Sequence, residues 1–332
     1  MAWAEICCDY ASSQLTQPLD KLLALSGLAN LFASFLQDSG PCYIAGIWKI
    51  HLLCGYGLLW LRRPVKSREE LLQHFRAPQS YIAPTWSWAN HGGGFLPGFL
   101  HYYWDGNSIN LHSRIEFLRL DAWQVSEGTN QFGRISEGVV SMTGRLASFS
   151  TLSVSRKCPS TFARRLREAG KYVADCVLDW VTSDNGEEQR SLLLLPLLST
   201  CAGTTPNSMV FSEVVDIDAV FAERYDEPYT QPSDAIGFTQ ILFRKIEEGS
   251  NSEQTGEGTF GIPNIHLPGD FMSFKQSCCI REMDNRDTFG IILYPAESPD
   301  RYWRVGVFYS QARQGGGTAL FRNIKYKELQ IV

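Results

Sequence analysis

The chain lacks a sustained hydrophobic run. Its most apolar stretch, residues 44–61, is interrupted by Lys49 and His51 and punctuated by Gly46, Gly55 and Gly57. The 192–198 run is far shorter than the roughly 20 apolar residues a bilayer span needs, so no transmembrane helix and no membrane partner are expected. The chain also lacks an excess of charge of one sign. Thirty Lys and Arg stand against 35 Asp and Glu, a formal net charge of -5, so no whole-chain positive field gathers phosphates and nucleic acid is not an expected partner. Paired cysteine spacing is absent too: the 9 cysteines are an odd number, Cys7-Cys8 and Cys278-Cys279 are vicinal, and no C-x-x-C occurs. That usage reads as reduced, mostly buried thiols in an intracellular protein. Glu5 and Asp9 near the amino terminus follow no basic stretch, so neither a secretory signal nor a transit peptide is expected, and the expected location is cytoplasmic or nuclear.

What is present suits a folded protein. With 332 residues, of which 44% are hydrophobic and 20% charged, the chain can bury a large core, which excludes disorder and disulfide-stapled miniproteins. Trp3, Ile6, Cys7 and Tyr10 recur at helical spacing. A longer helix is expected from Thr16 as cap and Pro18 in the first turn, with Leu19, Leu22, Leu23, Leu28, Phe32, Phe35 and Leu36 on one face and Gly40-Pro41 as stop. Ser67 and Glu70 form a capping-box pattern ahead of Leu71, Leu72 and Phe75. From about Trp86 the pattern becomes short alternating or apolar runs broken by turn residues, which is β-sheet. Strands are expected over 139–146, 172–181, 191–198, 208–217, 238–245, 288–294, 302–309, 318–324 and 328–332, with a hairpin joining 289–294 to 302–309. Residues 160–170 read as a basic helix and 247–257 as a polar surface loop. The expected fold class is α+β: a helical segment over residues 1–80 packed on a large, mostly antiparallel β region over 81–332, sandwich-like or barrel-like.

The most unusual segment runs from Tyr81 to Gly94 and contains Pro84, Thr85, Trp86, Ser87, Trp88, His91 and three glycines. Tryptophans two apart share a strand face and fill a large hydrophobic site, while the glycines and His91 offer an anion-binding or acid–base alternative. Neither a G-x-x-x-x-G-K-[ST] nor a strand–G-x-G-x-x-G–helix context supports a phosphate loop, and G-x-S-x-G is absent. His91, His101 and His112 lie ten and eleven apart, which does not put ligands on adjacent turns, so no metal site is expected. Glu213, Asp216 and Asp218 read as solvated carboxylates and both vicinal cysteine pairs as structural. The basic clusters around Arg62-Arg63 and Arg164-Arg165 read as solvated helix faces. No catalytic residue, cofactor or metal emerges.

Several segments in order resemble one family: Leu15-Thr16, residues 20–29 from Asp20-Lys21, Tyr43 to Trp48 with Gly46, Gly57 to Trp60, and Ala-Pro-Thr-Trp-Ser-Trp-Ala over 83–89. Residues 130–134 ending in Gly133-Arg134, then Gly138, Thr143-Gly144, 290–293 and the Arg304–Phe308 segment containing Gly306 continue the pattern. Together they resemble the fungal heterokaryon incompatibility (HET) domain proteins over almost the whole chain, with Thr85 where the family usually carries Ser. The resemblance implies that Asp20, Lys21, Gly46, Trp48, Trp60, Pro84, Trp86, Ser87, Trp88, Gly133, Arg134, Arg304 and Gly306 are structural family positions. Relatives carry an effector module, similar to TIR-type domains, ahead of the Leu-Thr and Asp-Lys-Leu segments, and only fourteen residues precede Leu15 here. The resemblance therefore implies a non-enzymatic remnant or accessory protein in non-self recognition, working through contacts with a protein partner such as a full-length relative. Two alternatives stand beside it. One is an enzyme or accessory protein of fungal secondary metabolism with a pocket near Trp86–Gly94, and the other is an incomplete gene model of a full-length effector. A pocket with perturbed titratable groups beside Trp86 favours the first alternative, and a filled core there favours the remnant.

Overall fold

A computed structural model describes residues 2–11, 15–36, 43–62, 64, 66–77, 81–90, 95–96, 114–156, 163–182, 187–189, 191–200 and 285–332. Helix α1 (Ala2–Ala11) buries Trp3, Cys7, Cys8 and Ala11. A 3-10 turn over Pro18–Asp20 leads into α2 (Lys21–Leu36). Gln17, rather than Thr16, takes the N-cap position and its side chain makes no cap bond; Pro18 alone sets the entry, its fixed φ suiting a first turn. The face α2 buries is Lys21, Leu22, Leu25 and Ala29, whereas Leu19 and Leu23 of the expected face are 41% and 40% exposed. The apolar residues of this segment run more than halfway round the helix, so apolar spacing alone did not select the buried side.

Strands β1 (Tyr43–Ile44) and β2 (Ile47–Trp48) form a hairpin around Ala45 (φ 48°) and Gly46 (φ 89°), a two-residue turn that needs positive φ at both positions. Helix α3 (Lys49–Leu53), a 3-10 turn and β3 (Leu61–Arg62) follow, and β3 pairs with β4 (Phe95–Leu96). Helix α4 (Arg68–Arg76) starts on the expected capping box: Glu70 N–H donates to Ser67 Oγ while Ser67 N–H donates to Glu70 Oε2 at 2.8 Å. Its buried face is Leu71 and Leu72, with Phe75 5.7 Å from Trp303.

Among the described residues, twelve strands join one large sheet that is not closed into a barrel: β5 (Arg114–Ile115), β6 (Arg119–Ser126), β7 (Ile135–Gly144), β8 (Ala147–Ser148), β9 (Leu152–Arg156), β10 (Arg164–Glu168), β11 (Lys171–Leu178), β12 (Glu187–Gln189), β13 (Leu193–Ser199), β14 (Thr288–Pro295), β15 (Arg301–Ser310) and β16 (Lys327–Ile331). The main path runs β12-β9-β10-β11-β15-β14-β13-β5, and its pairings are antiparallel. At β15 the sheet branches. Gly306 to Tyr309 pair with β11, while Arg301 and Tyr302 pair in parallel with β16, which carries β7 and then β6. With α1–α4 this is the expected α+β class, built on a mixed sheet.

The long strands of the β14–β15 hairpin, β7, β11, β13 and β16 fall where the sequence pattern puts them, to within a few residues at each end. Three further expectations fail. The described part of the expected 160–170 helix, residues 163–170, is not helical: β10 occupies Arg164–Glu168 and turns into β11 through Ala169 (φ 47°) and Gly170 (φ 79°), a two-residue hairpin turn that overrides the helical look of the arginines. Thr318–Ile324 is not a strand but a 3-10 turn over Gly317–Leu320 followed by further turns, entered through Gly315 and Gly317 at positive φ. Trp86 and Trp88 do not share a strand face, because residues 84–90 wind through turns and a 3-10 helix over Trp88–Asn90. The strands expected over 208–217 and 238–245 and the loop expected over 247–257 lie outside the described residues.

Candidate functional site

Most of the residues that carry the resemblance converge on two buried hubs. The first is the turn of the β1–β2 hairpin. Gly46 O accepts from Trp88 Nε1 at 2.9 Å and from Trp3 Nε1 at 3.1 Å, and Ala45 O accepts from Ser87 Oγ at 2.6 Å. Ala45 N–H donates to Gln124 Oε1 of β6 at 2.6 Å. Trp48 packs edge-on against Trp3 and Tyr43, with ring centroids 5.5 and 5.0 Å apart. A Cβ on Gly46 would sit 2.7 Å from Trp88 Nε1, so the position needs glycine for space as well as for φ.

The second hub is Arg304, fully buried on β15. Its guanidinium lies 3.4 Å from the centre of the Trp60 ring. Nε donates to Leu58 O at 3.0 Å, Nη1 to Asp179 Oδ2 at 2.9 Å, and Nη2 to Trp60 O. Its backbone N–H donates to Thr85 Oγ1 at 3.0 Å, and Thr85 Oγ1 in turn donates to the backbone oxygen of Val332. Trp60 Nε1 donates to Trp86 O at 2.9 Å, which ties the first hub's segment to the second. Burial pushes the Asp179 carboxyl up and the Arg304 guanidinium down, and their ion pair opposes both shifts. Gly306 lets β15 approach β11, since a Cβ there would fall 2.5 Å from Val177 O.

The remaining residues that carry the resemblance are peripheral to these hubs. Pro84 packs on Gly138, where a Cβ would come within 3.0 Å of Pro84 Cγ. Gly133 sits in the β6–β7 turn, its N–H donating to Asn130 O at 3.0 Å. Arg134 pairs with Asp20 at the head of α2, both side chains well exposed. Lys21 is 5% exposed, its Nζ 5.5 Å from the Trp88 ring centre. Burial and the like charge of Arg62 bring the Lys21 ammonium down to about 8.

Several buried polar groups were missed by the sequence reading. Arg62, placed there on a solvated helix face, is 2% exposed on β3, and its Nε and Nη1 have no hydrogen-bond partner. Arg164 of the other cluster is likewise buried, donating to Thr182 Oγ1 from β10. Asp179 went unremarked although a carboxylate closing the apolar 172–181 run is itself a sign of a buried partner. Glu116, Ser199 and Arg286 form another buried polar group, with Arg286 Nη2 3.3 Å from Glu116 Oε1.

The chemistry of these groups is that of a braced core. Among the described residues no cluster of three or more His, Cys, Asp or Glu could hold a metal, and no helix is long and apolar enough to cross a membrane. Burial raises the Cys7 thiol and pushes Cys54 up to about 11, so neither is an activated thiolate. His91, His101, His112, Glu213, Asp216, Asp218, Cys278 and Cys279 lie outside the described residues. No family model, no curated protein and no solved structure matches the chain.

Proposed function

We propose that the chain is a non-enzymatic protein of the heterokaryon incompatibility type that acts through protein contacts, with a full-length relative as partner in non-self recognition. The observation that carries this reading is the use of Trp48, Trp60, Trp86, Ser87, Trp88 and Arg304 as a filled, hydrogen-bonded core rather than as the wall of a catalytic cleft. A scaffold spent in this way acts through its surface. Leu118, Trp123 and Val125, on and beside strand β6, are 60%, 41% and 45% exposed and give a contact apolar area. The test is a titration of the chain with a purified full-length relative from the same organism, read by biolayer interferometry. Saturable binding that Trp123→Asp weakens at least tenfold at unchanged melting temperature is the expected result; no binding at micromolar concentrations overturns the reading.

The secondary-metabolism reading has one observation in its favour, the desolvated Lys21 beside Trp88, whose ammonium is brought down to about 8. It predicts a dedicated small-molecule substrate for that corner of the molecule.

A further inference from the structure

Strands β6, β7 and β16 form a wing of the sheet with one side buried and one side open. Along β6, Leu120 and Ala122 are buried, while Arg119, Asp121, Trp123 and Val125 are exposed. Cross-strand partners share a face, so the register puts Glu137, Ser141 and Thr143 of β7 and Glu328 of β16 on the open side with them. One step beyond the paired residues, the Arg145 guanidinium lies 4.5 Å from the centre of the Tyr326 ring, which continues the same side by alternation.

Charge is laid out lengthwise on this side. Arg145 and Arg119 stand at one end and Glu137, across from Val125, at the other, with Trp123 between them. Arg119, Arg145 and Glu137 have no ion-pair partner among the described residues, and Arg145 Nε makes no hydrogen bond. Asp121, across from Ser141 in the middle, is already matched by Lys49 of α3 at 3.7 Å. Glu328 shares a row with Arg119, but β7 lies between them and holds the two strands about 10 Å apart.

Such a layout is complementary to itself turned end for end. Arg145 and Glu137 lie four residues to either side of Ser141. A half-turn about an axis between two facing copies, running across the strands at Ser141, therefore brings Arg145 of each copy to Glu137 of the other. The same turn brings Arg119 over Trp123, each two residues from Asp121, as a cation–π contact. Copies facing each other with strands parallel would instead set Arg145 on Arg145 and Glu137 on Glu137, which like-charge repulsion disfavours. At about 3.3 Å per residue and about 4.8 Å per strand, the face is about 27 Å by about 15 Å, so two copies cover roughly 800 Å². That is the size of a weak, reversible complex.

We propose that the open side of β6, β7 and β16 binds a second copy of this chain, end for end, through reciprocal Arg145–Glu137 pairs that flank Trp123. The dimer is isologous, the same patch serving on both copies. It rests on the same reading of the Trp123 face as a contact surface, and it makes a second copy the competitor of any full-length relative.

Sedimentation velocity of the whole chain from about 1 to about 200 µM, the range for an interface of this size, reads the dimer directly. Association is expected to rise with concentration and to weaken between about 50 and about 500 mM sodium chloride, because salt screens exposed ion pairs. Glu137→Arg and Arg145→Glu are each expected to weaken it at least tenfold at unchanged melting temperature. Their equimolar mixture is expected to recover it, because only the mixed dimer restores both pairs. If Arg145→Glu does not fold, Glu137→Arg and Trp123→Asp carry the comparison. A chain that stays monomeric throughout, a dimer unchanged in folded Glu137→Arg, or a mixture no more associated than its components overturns the proposal. Absence of the dimer and absence of binding to a full-length relative are separate readouts, the first from the chain alone and the second from the interferometry titration.

Discussion

Replacing Arg304 by Met removes one fully buried fork from β15 and keeps most of the aliphatic volume. Three losses follow from the geometry. Asp179, 1% exposed, loses the Nη1 contact at 2.9 Å that holds its charge, and the carbonyls of Leu58 and Trp60 lose their guanidinium donors. Stranding one member of a buried ion pair costs about 3–5 kcal/mol. Each orphaned carbonyl adds about 1 kcal/mol. The sum, about 5–7 kcal/mol, rivals the whole stability of a typical domain, about 5–15 kcal/mol. Urea titrations of Arg304→Met followed by tryptophan fluorescence and far-UV circular dichroism are therefore expected to show a chain mostly unfolded or with its midpoint reduced by several molar units of stability-equivalent denaturant. The double variant Arg304→Met, Asp179→Leu removes the stranded carboxylate as well, and it is expected to recover part of the loss. A single variant within about 1 kcal/mol of wild type, or a double variant no better than the single, would refute the assignment of Arg304 as a structural keystone.

Gly46→Ala meets both a positive φ of 89° and a 2.7 Å approach to Trp88 Nε1, so a loss of about 2 kcal/mol or more is expected in the melting curve. Asp20→Asn at the exposed Arg134 pair should cost less than about 1 kcal/mol in urea. Lys21 titrates at about 8 when folded against 10.5 unfolded, so between those values the unfolded chain binds the extra proton and the wild type gains stability as pH rises. Lys21→Met lacks that gain: its advantage over wild type, largest below pH 8 and at most roughly 3 kcal/mol from the linkage of one pKa unit to 1.36 kcal/mol, should shrink toward pH 10.5. A gap that does not change with pH contradicts a desolvated Lys21.

The fold class was legible because its signals are local. Alternating apolar residues over 288–309 with a turn-rich joint specify a hairpin, and Ser67 with Glu70 specifies a helix start, whatever surrounds them. The failures are places where a local pattern had two solutions. The arginines of 164–167 fit a helix face and an alternating strand equally, and only the Ala169-Gly170 turn decides. Trp86 and Trp88 announced a large buried site, but the turns of 84–90 send their indoles to different neighbours: Trp88 Nε1 donates to Gly46 O, whereas the Trp86 ring lies against Gly138 of β7. Arg62 was read as solvated because basic clusters usually are; its burial follows from β3 pairing with β4 and packing near β15, contacts that spacing along the chain does not encode. Strand β6 escaped notice because its exposed face mixes Arg119 and Asp121 with Trp123 and Val125, which blurs the two-residue alternation.

The central claim is that the Trp86–Trp88 segment braces the helical lead-in against the sheet as shared core. Trp86→Ala and Trp88→Ala, each unfolded in urea and followed by tryptophan fluorescence and by the far-UV signal of the sheet, test it most directly. Each variant should lose roughly 3–5 kcal/mol, with both signals shifting together. A variant that stays as stable as wild type in both signals, and loses only the ability to bind a ligand, would contradict the claim and make the segment a binding wall.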